Sequence, residues 1–259
     1  MSNTPGQRIF LTGASSGIGA ALARAYAARG ATLGLVGRRE DALQALLAEL
    51  PGTHAYYVAD VAEPEQLATV AWQFIEQFGL PDVVIANAGV SAGTLTEERG
   101  DLAVFERVLR TNLLGMVATF QPFLMAMRRA HAGQLVGISS VAGVRGLPGA
   151  GAYSASKAGV TRYLESLRVE LRGSGVRVTE IRPGYIATPM TAVNRYRMPF
   201  IIPAEVAAQR FIKAIDKGIA RTTIPWQMGV VARIMPHLPC WLYDLLASRA
   251  GRKPRGLRT

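Results

Sequence analysis

The chain has 259 residues, 49% hydrophobic and 18% charged, which suffices for one large core and excludes disorder as the dominant state. Its single cysteine, Cys240, excludes a disulfide scaffold, and no opening segment joins a basic end to an apolar run and a cleavage site, so the cytoplasm is the expected compartment. The net charge of +11 comes without a basic-plus-aromatic motif or a groove-reading helix, so nucleic acid is not an expected partner.

After a short lead before Ile9, expected to be disordered, residues 8–12 form an apolar run that ends at a glycine-rich turn, and residues 20–29 continue with helical periodicity. The spacing then predicts strands over 32–36, 55–58, 82–86, 134–138, 177–181 and 222–225. Helices are predicted between them over 41–50, 64–78, 102–129 and 153–171. Short apolar strands alternating with longer helices imply a parallel sheet covered on both faces. Right-handed crossovers make it an α/β doubly wound sheet of the Rossmann type, one domain over 1–259. Residues 226–259 read as a C-terminal extension of that domain. Two amphipathic stretches, broken at Pro236 and Pro239, are too interrupted to span a bilayer and are expected to serve as a lid or an interface; a peripheral membrane contact is the less favoured reading. The closing segment, with Arg249, Arg252, Lys253, Arg255 and Arg258 and no acid, reads as a solvated end whose removal after Ala247 leaves affinity and folding intact.

Three constellations carry chemistry. Thr12-Gly13-Ala14-Ser15-Ser16-Gly17-Ile18-Gly19 lies between the first strand and the first helix. A pyrophosphate needs close backbone approach and the positive end of a helix, which the three glycines and the helix opening near Gly17 supply. The segment lacks the Gly-Lys-Ser/Thr of a P-loop. It also contains a Gly-x-Ser-x-Gly match, for which His237 would be the late histidine of a hydrolase, but that match lacks the elbow's context. Tyr153 and Lys157 stand four apart at the start of a helix and share a face. A cation there is expected to lower the tyrosine pKa and make it a proton donor or acceptor, with Ser140 holding the same oxygen. At the end of the second strand, Gly37 stands eighteen residues beyond Gly19, where an NAD-preferring enzyme carries an acid. Arg38 follows and offers a planar fork for a 2′-phosphate, so NADP(H) is expected over NAD(H), although Asp41 lies near enough to be a ribose ligand.

With these motifs in order, residues 6–225 resemble the short-chain dehydrogenase/reductase family. Thr12–Gly19 is similar to its TGxxxGxG loop, and Asn87-Ala88-Gly89 to its Asn-Ala-Gly element, with Ala86 where a second asparagine is common. Pro183-Gly184-Tyr185-Ile186-Ala187-Thr188 resembles its Pro-Gly-x3-Thr segment. The resemblance implies a tetrad of Asn112, Ser140, Tyr153 and Lys157. Tyr153 would pass the proton, Ser140 would stabilise the oxyanion, Lys157 would bind the ribose and tune Tyr153, and Asn112 would hold a relay water. It implies cofactor contacts at Gly13, Ser15, Ser16, Gly17, Ile18, Gly19, Arg38, Asp60, Val61, Asn87, Ala88, Gly89, Tyr153, Lys157, Pro183, Gly184, Ile186 and Thr188, with no metal. It also implies a homodimer or homotetramer through the helices over 102–129 and 153–171. The substrate pocket is expected over 141–152 and 188–203, which are rich in apolar residues, so the expected substrate is an apolar carbonyl compound or alcohol; Arg145, Arg195 and Arg197 are candidates for an acidic substituent. The alternatives are a 3-oxoacyl reductase that docks an acidic carrier on Arg128, Arg129 and Arg172, and a noncatalytic NADP(H)-binding regulator.

Overall fold

The computed structural model describes residues 6–249 and 251–256; the expected disordered lead therefore falls largely outside the described residues. All seven expected strands lie in one parallel sheet, in the order β3-β2-β1-β4-β5-β6-β9. They are β1 (Arg8–Thr12), β2 (Thr32–Gly37), β3 (His54–Val58), β4 (Val83–Ala86), β5 (Gln134–Ile138), β6 (Arg177–Pro183) and β9 (Arg221–Ile224). Between β6 and β9 the short β7 (Ile186–Ala187) and β8 (Ile202–Pro203) pair with each other. The order reverses between β1 and β4, and a doubly wound sheet opens a crevice at that switch point.

The strand sequences explain why both faces are covered. Ile9, Leu11, Leu33, Leu35, Val83 and Ile85 point to one face, where they pack with α1 (Gly17–Ala27), α2 (Glu40–Glu49) and α8 (Ala204–Asp216). Phe10, Val36, Val84 and Leu135 point to the other, against α3 (Pro64–Phe78), α5 (Gly115–Arg129) and α6 (Gly151–Glu170). Helix α8 was not among the expected elements.

The long helix expected over 102–129 is broken in register. It comprises α4 (Asp101–Leu109), a π-helical turn at Arg110–Leu114, and α5. Such single π turns widen a helix locally and recur at functional sites; this one carries Thr111 and Asn112, both buried.

The extension forms α9 (Trp226–Ile234) and α10 (Cys240–Ala247), preceded on the pocket side by the four-residue α7 (Pro189–Ala192). Met228 and Ala232 of α9 are buried against Val141, with Val144, Tyr185 and Met235 around them. This part of the extension covers the turn that follows β5. Trp226, Val230, Ile234, Trp241, Leu245 and Leu246 are exposed. Among the described residues no helix is long and apolar enough to cross a membrane.

Candidate active site

A cleft of about 530 Å³ runs over the C-terminal ends of β1, β4 and β5, within the range usual for small-molecule sites. At its centre the glycine loop lies against the residues that follow β4. Gly13 has φ +68°, and a Cβ there would lie 2.7 Å from the Ala88 Cα; one at Gly19 would overlap the Gly13 carbonyl. Gly13, Ser15, Ser16, Gly17 and Ile18 line the cleft, and Gly19 lies behind them. The α1 N-terminus bears no side-chain cap and no acid in its first turn. Its free N–H groups and positive end are thus left to an anion.

Asn87, Ala88 and Gly89 also line the cleft, and Asn87 has a second task there. Its Nδ2 donates to the Thr12 and Gly13 carbonyls, each at 3.1 Å, while Thr12 Oγ1 accepts from the backbone N–H of Asn87 and of Ala88. Asn87 and Thr12 together brace the loop. Sequence reasoning did not single out Thr12 beyond its place in the motif.

At one end of the cleft stand Gly37, Arg38, Arg39, Asp60 and Val61. Arg38 is half-exposed, its Nη1 3.8 Å from Asp60 Oδ2. Arg39, unassigned by the sequence, donates to the Ser15 carbonyl at 3.1 Å and to Ser15 Oγ at 3.3 Å. Asp41 is not part of the lining. Burial works against ionisation of Asp60, yet the Ala62 N–H and the guanidinium groups of Arg107 and Arg38 hold it below the usual carboxylate range. Ser15 accepts from Arg39, and among the described residues no histidine lines the cleft, so the hydrolase match finds no base there.

At the other end are Ser140, Tyr153 and Lys157, with Pro183, Gly184, Ile186 and Thr188 along the edge. Ser140 Oγ accepts from the Ala142 N–H at 3.1 Å, which leaves its own proton free to donate. Lys157 Nζ donates to the Ile138 carbonyl at 2.8 Å and lies 5.9 Å from the Tyr153 ring centroid. The expected lowering of the Tyr153 pKa is not found. Burial pushes the phenol above its ordinary value, with Ser140 acting in the opposite direction, and burial pulls Lys157 itself down to about 8. Withdrawal from water outweighs the neighbouring cation, whose ammonium is turned to a backbone carbonyl.

Asn112 is fully buried, and both Nδ2 hydrogens are committed, to the Val90 carbonyl and to Ser156 Oγ, each at 2.9 Å; its Oδ1 accepts from the Val90 N–H at 2.8 Å. The side chain ties the loop after β4 to α6 and commits both of its N–H donors there. Beside it, the buried Thr111 hydroxyl borders the cleft with no partner among the described residues. That unmatched hydroxyl and the unfilled glycine cradle both fit a bound polar group such as a dinucleotide.

The apolar segments fare unevenly. Met190 and Val193 line the cleft, whereas Val141 and Val144 are covered by α9 and Phe200 is exposed. Arg145, a candidate for an acidic substituent, instead holds the extension: it donates to the Leu238 carbonyl at 3.0 Å and lies 4.1 Å over the Tyr243 ring.

The basic tail is the largest correction. Residues 251–256 return to the cleft, and Lys253, Pro254 and Gly256 line it. Pro254 accepts from the Gly93 N–H at 2.8 Å, and Lys253 Nζ donates to Ser91 Oγ at 2.7 Å. Outside the cleft Arg255 pairs with Glu98 at 2.9 Å and with Asp101 at 3.0 Å. A Cβ at Gly93 would stand 2.8 Å from the Pro254 carbonyl oxygen, so a glycine there lets the strap lie flat.

Comparison with known proteins agrees with this geometry. The short chain dehydrogenase family model matches residues 7–198. An uncharacterized oxidoreductase of Myxococcus xanthus is 41% identical over 248 residues, 93% of this chain and 96% of that protein. Dehydrogenase/reductase SDR family member 7B of Bos taurus is 38% identical over 269 aligned positions, 95% of this chain and 82% of that protein. A crystal structure of a variant actinorhodin polyketide ketoreductase with NADPH superposes with a TM-score of 0.76 at 26% identity, covering 85% of this chain and 95% of that one. The chain therefore belongs to the short-chain dehydrogenase/reductase family, as an oxidoreductase that uses a nicotinamide cofactor on CH–OH and C=O groups.

Proposed function

We propose that the protein is an NADP(H)-dependent reductase of apolar carbonyl compounds. The observation that carries the cofactor preference is the arginine pair at the adenosine end: Arg38 and Arg39 border the cleft, and Gly37 stands where a ribose-binding acid would be. The NADPH held by the related ketoreductase supports the same reading. Arg38→Asp should weaken NADPH binding far more than NADH binding, as read by titration of cofactor fluorescence. An unchanged ratio of the two affinities would refute the assignment.

The bound cofactor supplies the hydride; the chain's own residues supply orientation and the proton. Tyr153, kept protonated by burial, would donate to the carbonyl oxygen. Ser140, with its proton free, would donate to the same oxygen as charge develops. Lys157 is fixed by the Ile138 carbonyl and keeps two N–H donors for the ribose hydroxyls. Asn112 acts as a positioning residue, joining the loop after β4 to the helix that carries Tyr153. Met190 and Val193 support an apolar substrate. NADPH consumption in a screen of ketones and aldehydes tests the activity; its absence across apolar carbonyls would refute it.

We also infer a homo-oligomer. Leu114, Met125 and Val169 stay exposed on the layer of α5 and α6, an apolar face suited to a symmetry mate. Light scattering at micromolar concentration should give at least a dimer, and a concentration-independent monomer would exclude it.

A further inference from the structure

Two lysines face the Tyr153 ring, and only one belongs to the tetrad. Lys157 Nζ lies 5.9 Å from the ring centroid, and Lys253 Nζ lies 5.7 Å from it. The chain has only four lysines among 29 basic residues. Two of the four converge on this one tyrosine, and the other two, Lys213 and Lys217, lie at the end of α8.

The surroundings of Lys253 are unbalanced. Its hydrogen-bond partner is the neutral Ser91 hydroxyl, and among the described residues no carboxylate pairs with it. Two residues on, Arg255 pairs with two carboxylates outside the cleft. The strap thus matches its outer cation and leaves its inner one unmatched. A cation partly withdrawn from water without a counter-charge is held at a cost. Burial correspondingly pulls the Lys253 ammonium down to about 8, so it is still charged at neutral pH.

We propose that Lys253 is a specificity-determining residue that receives the carboxylate of an oxo-acid substrate whose carbonyl is served by Tyr153. This rests on the carbonyl-reductase reading above and narrows it to a substrate class: apolar oxo acids whose carboxylate stands within a few bonds of the carbonyl. Ser91 holds the ammonium in place, while the Gly93–Pro254 hydrogen bond and the Arg255 ion pairs hold the strap. A charge-assisted hydrogen bond of this kind changes specificity by roughly ten- to a hundredfold.

The test compares medium-chain 2-oxo and 4-oxo acids with their methyl esters, using NADPH and the full chain. The wild type should favour the acids by roughly ten- to a hundredfold in kcat/KM. Lys253→Met should remove that preference, mainly through KM of the acids, and Lys253→Arg should restore part of it. Arg255→Ala and Gly93→Val, which release the strap without touching the ammonium, should reduce the preference in the same way. Equal use of acid and ester by the wild type would overturn the proposal, as would an equal loss on both in Lys253→Met. If the wild type consumes NADPH with none of the set, the activity itself is misread, and melting temperature with NADPH and an oxo acid present decides the site. A rise in the wild type that is absent in Lys253→Met upholds it; no rise, or the same rise in both, overturns it.

Discussion

Tyr153→Phe should lower turnover by about 10²–10⁴-fold while cofactor binding stays near normal. The substitution removes one hydroxyl and keeps the ring that fills the space between Lys157 and Lys253. Burial raises the phenol, so at neutral pH it carries its proton and suits the reductive direction. Lys157, pulled down to about 8, is cationic below that pH and neutral above it. Reductive kcat/KM should therefore hold a plateau below about pH 8 and fall above it as the ribose-binding charge is lost. Steady-state rates on any accepted carbonyl compound, with cofactor affinity measured in parallel, check both parts. Near-normal turnover in the variant would remove Tyr153 from proton transfer.

The features that were legible in the sequence are local ones. The glycine turn, the Tyr153–Lys157 pair and the strand periods each lie within one element or one junction, where spacing alone places the side chains. Helix α8 was equally legible, because Ala204, Ala207, Ala208, Phe211, Ile212 and Ile215 recur at helical intervals and all are buried. Asn112 was located from the resemblance, but its side-chain partners were not, since Val90 and Ser156 lie 22 and 44 residues away and no spacing signals them. The strap was beyond sequence reasoning altogether. Its partners lie 162 residues away at Ser91 and 154 away at Asp101, and a short basic run without periodicity carries no sign of them. Tyr153 shows the same limit in energetic form: the pair's spacing was right, but only the folded surroundings show that burial outweighs the neighbouring charge.

Glu180→Leu should destabilise the protein by about 3 kcal/mol, because it strips the centre from a buried polar network and leaves cations behind. Glu180 sits on β6 with only 2% of its surface exposed. It accepts from Thr161 Oγ1 at 2.6 Å, from Arg182 Nε at 2.7 Å and from Arg221 Nε at 2.6 Å. Arg221 is 40% exposed and can turn to water, but Arg182 is only 15% exposed and would stay unpaired. Because Thr161 gives its proton to Glu180, Ser139 Oγ is the donor to Thr161 Oγ1 at 3.0 Å, and it shares that one proton with the Lys157 carbonyl at 3.2 Å. The network thus fixes the turn of α6 that carries Lys157 over the ends of β5 and β6, one turn from Tyr153. The loss should appear as a lower denaturant midpoint with an unchanged m-value, since the surface exposed on unfolding is the same. Adding Arg182→Leu should recover part of the stability, because removing both partners avoids the unpaired charge. A midpoint equal to the wild type in Glu180→Leu would show that the network adds nothing to the fold. Turnover at a temperature where the variant is fully folded should still fall, since α6 then lacks the tie that sets the height of Tyr153 and Lys157 above the sheet.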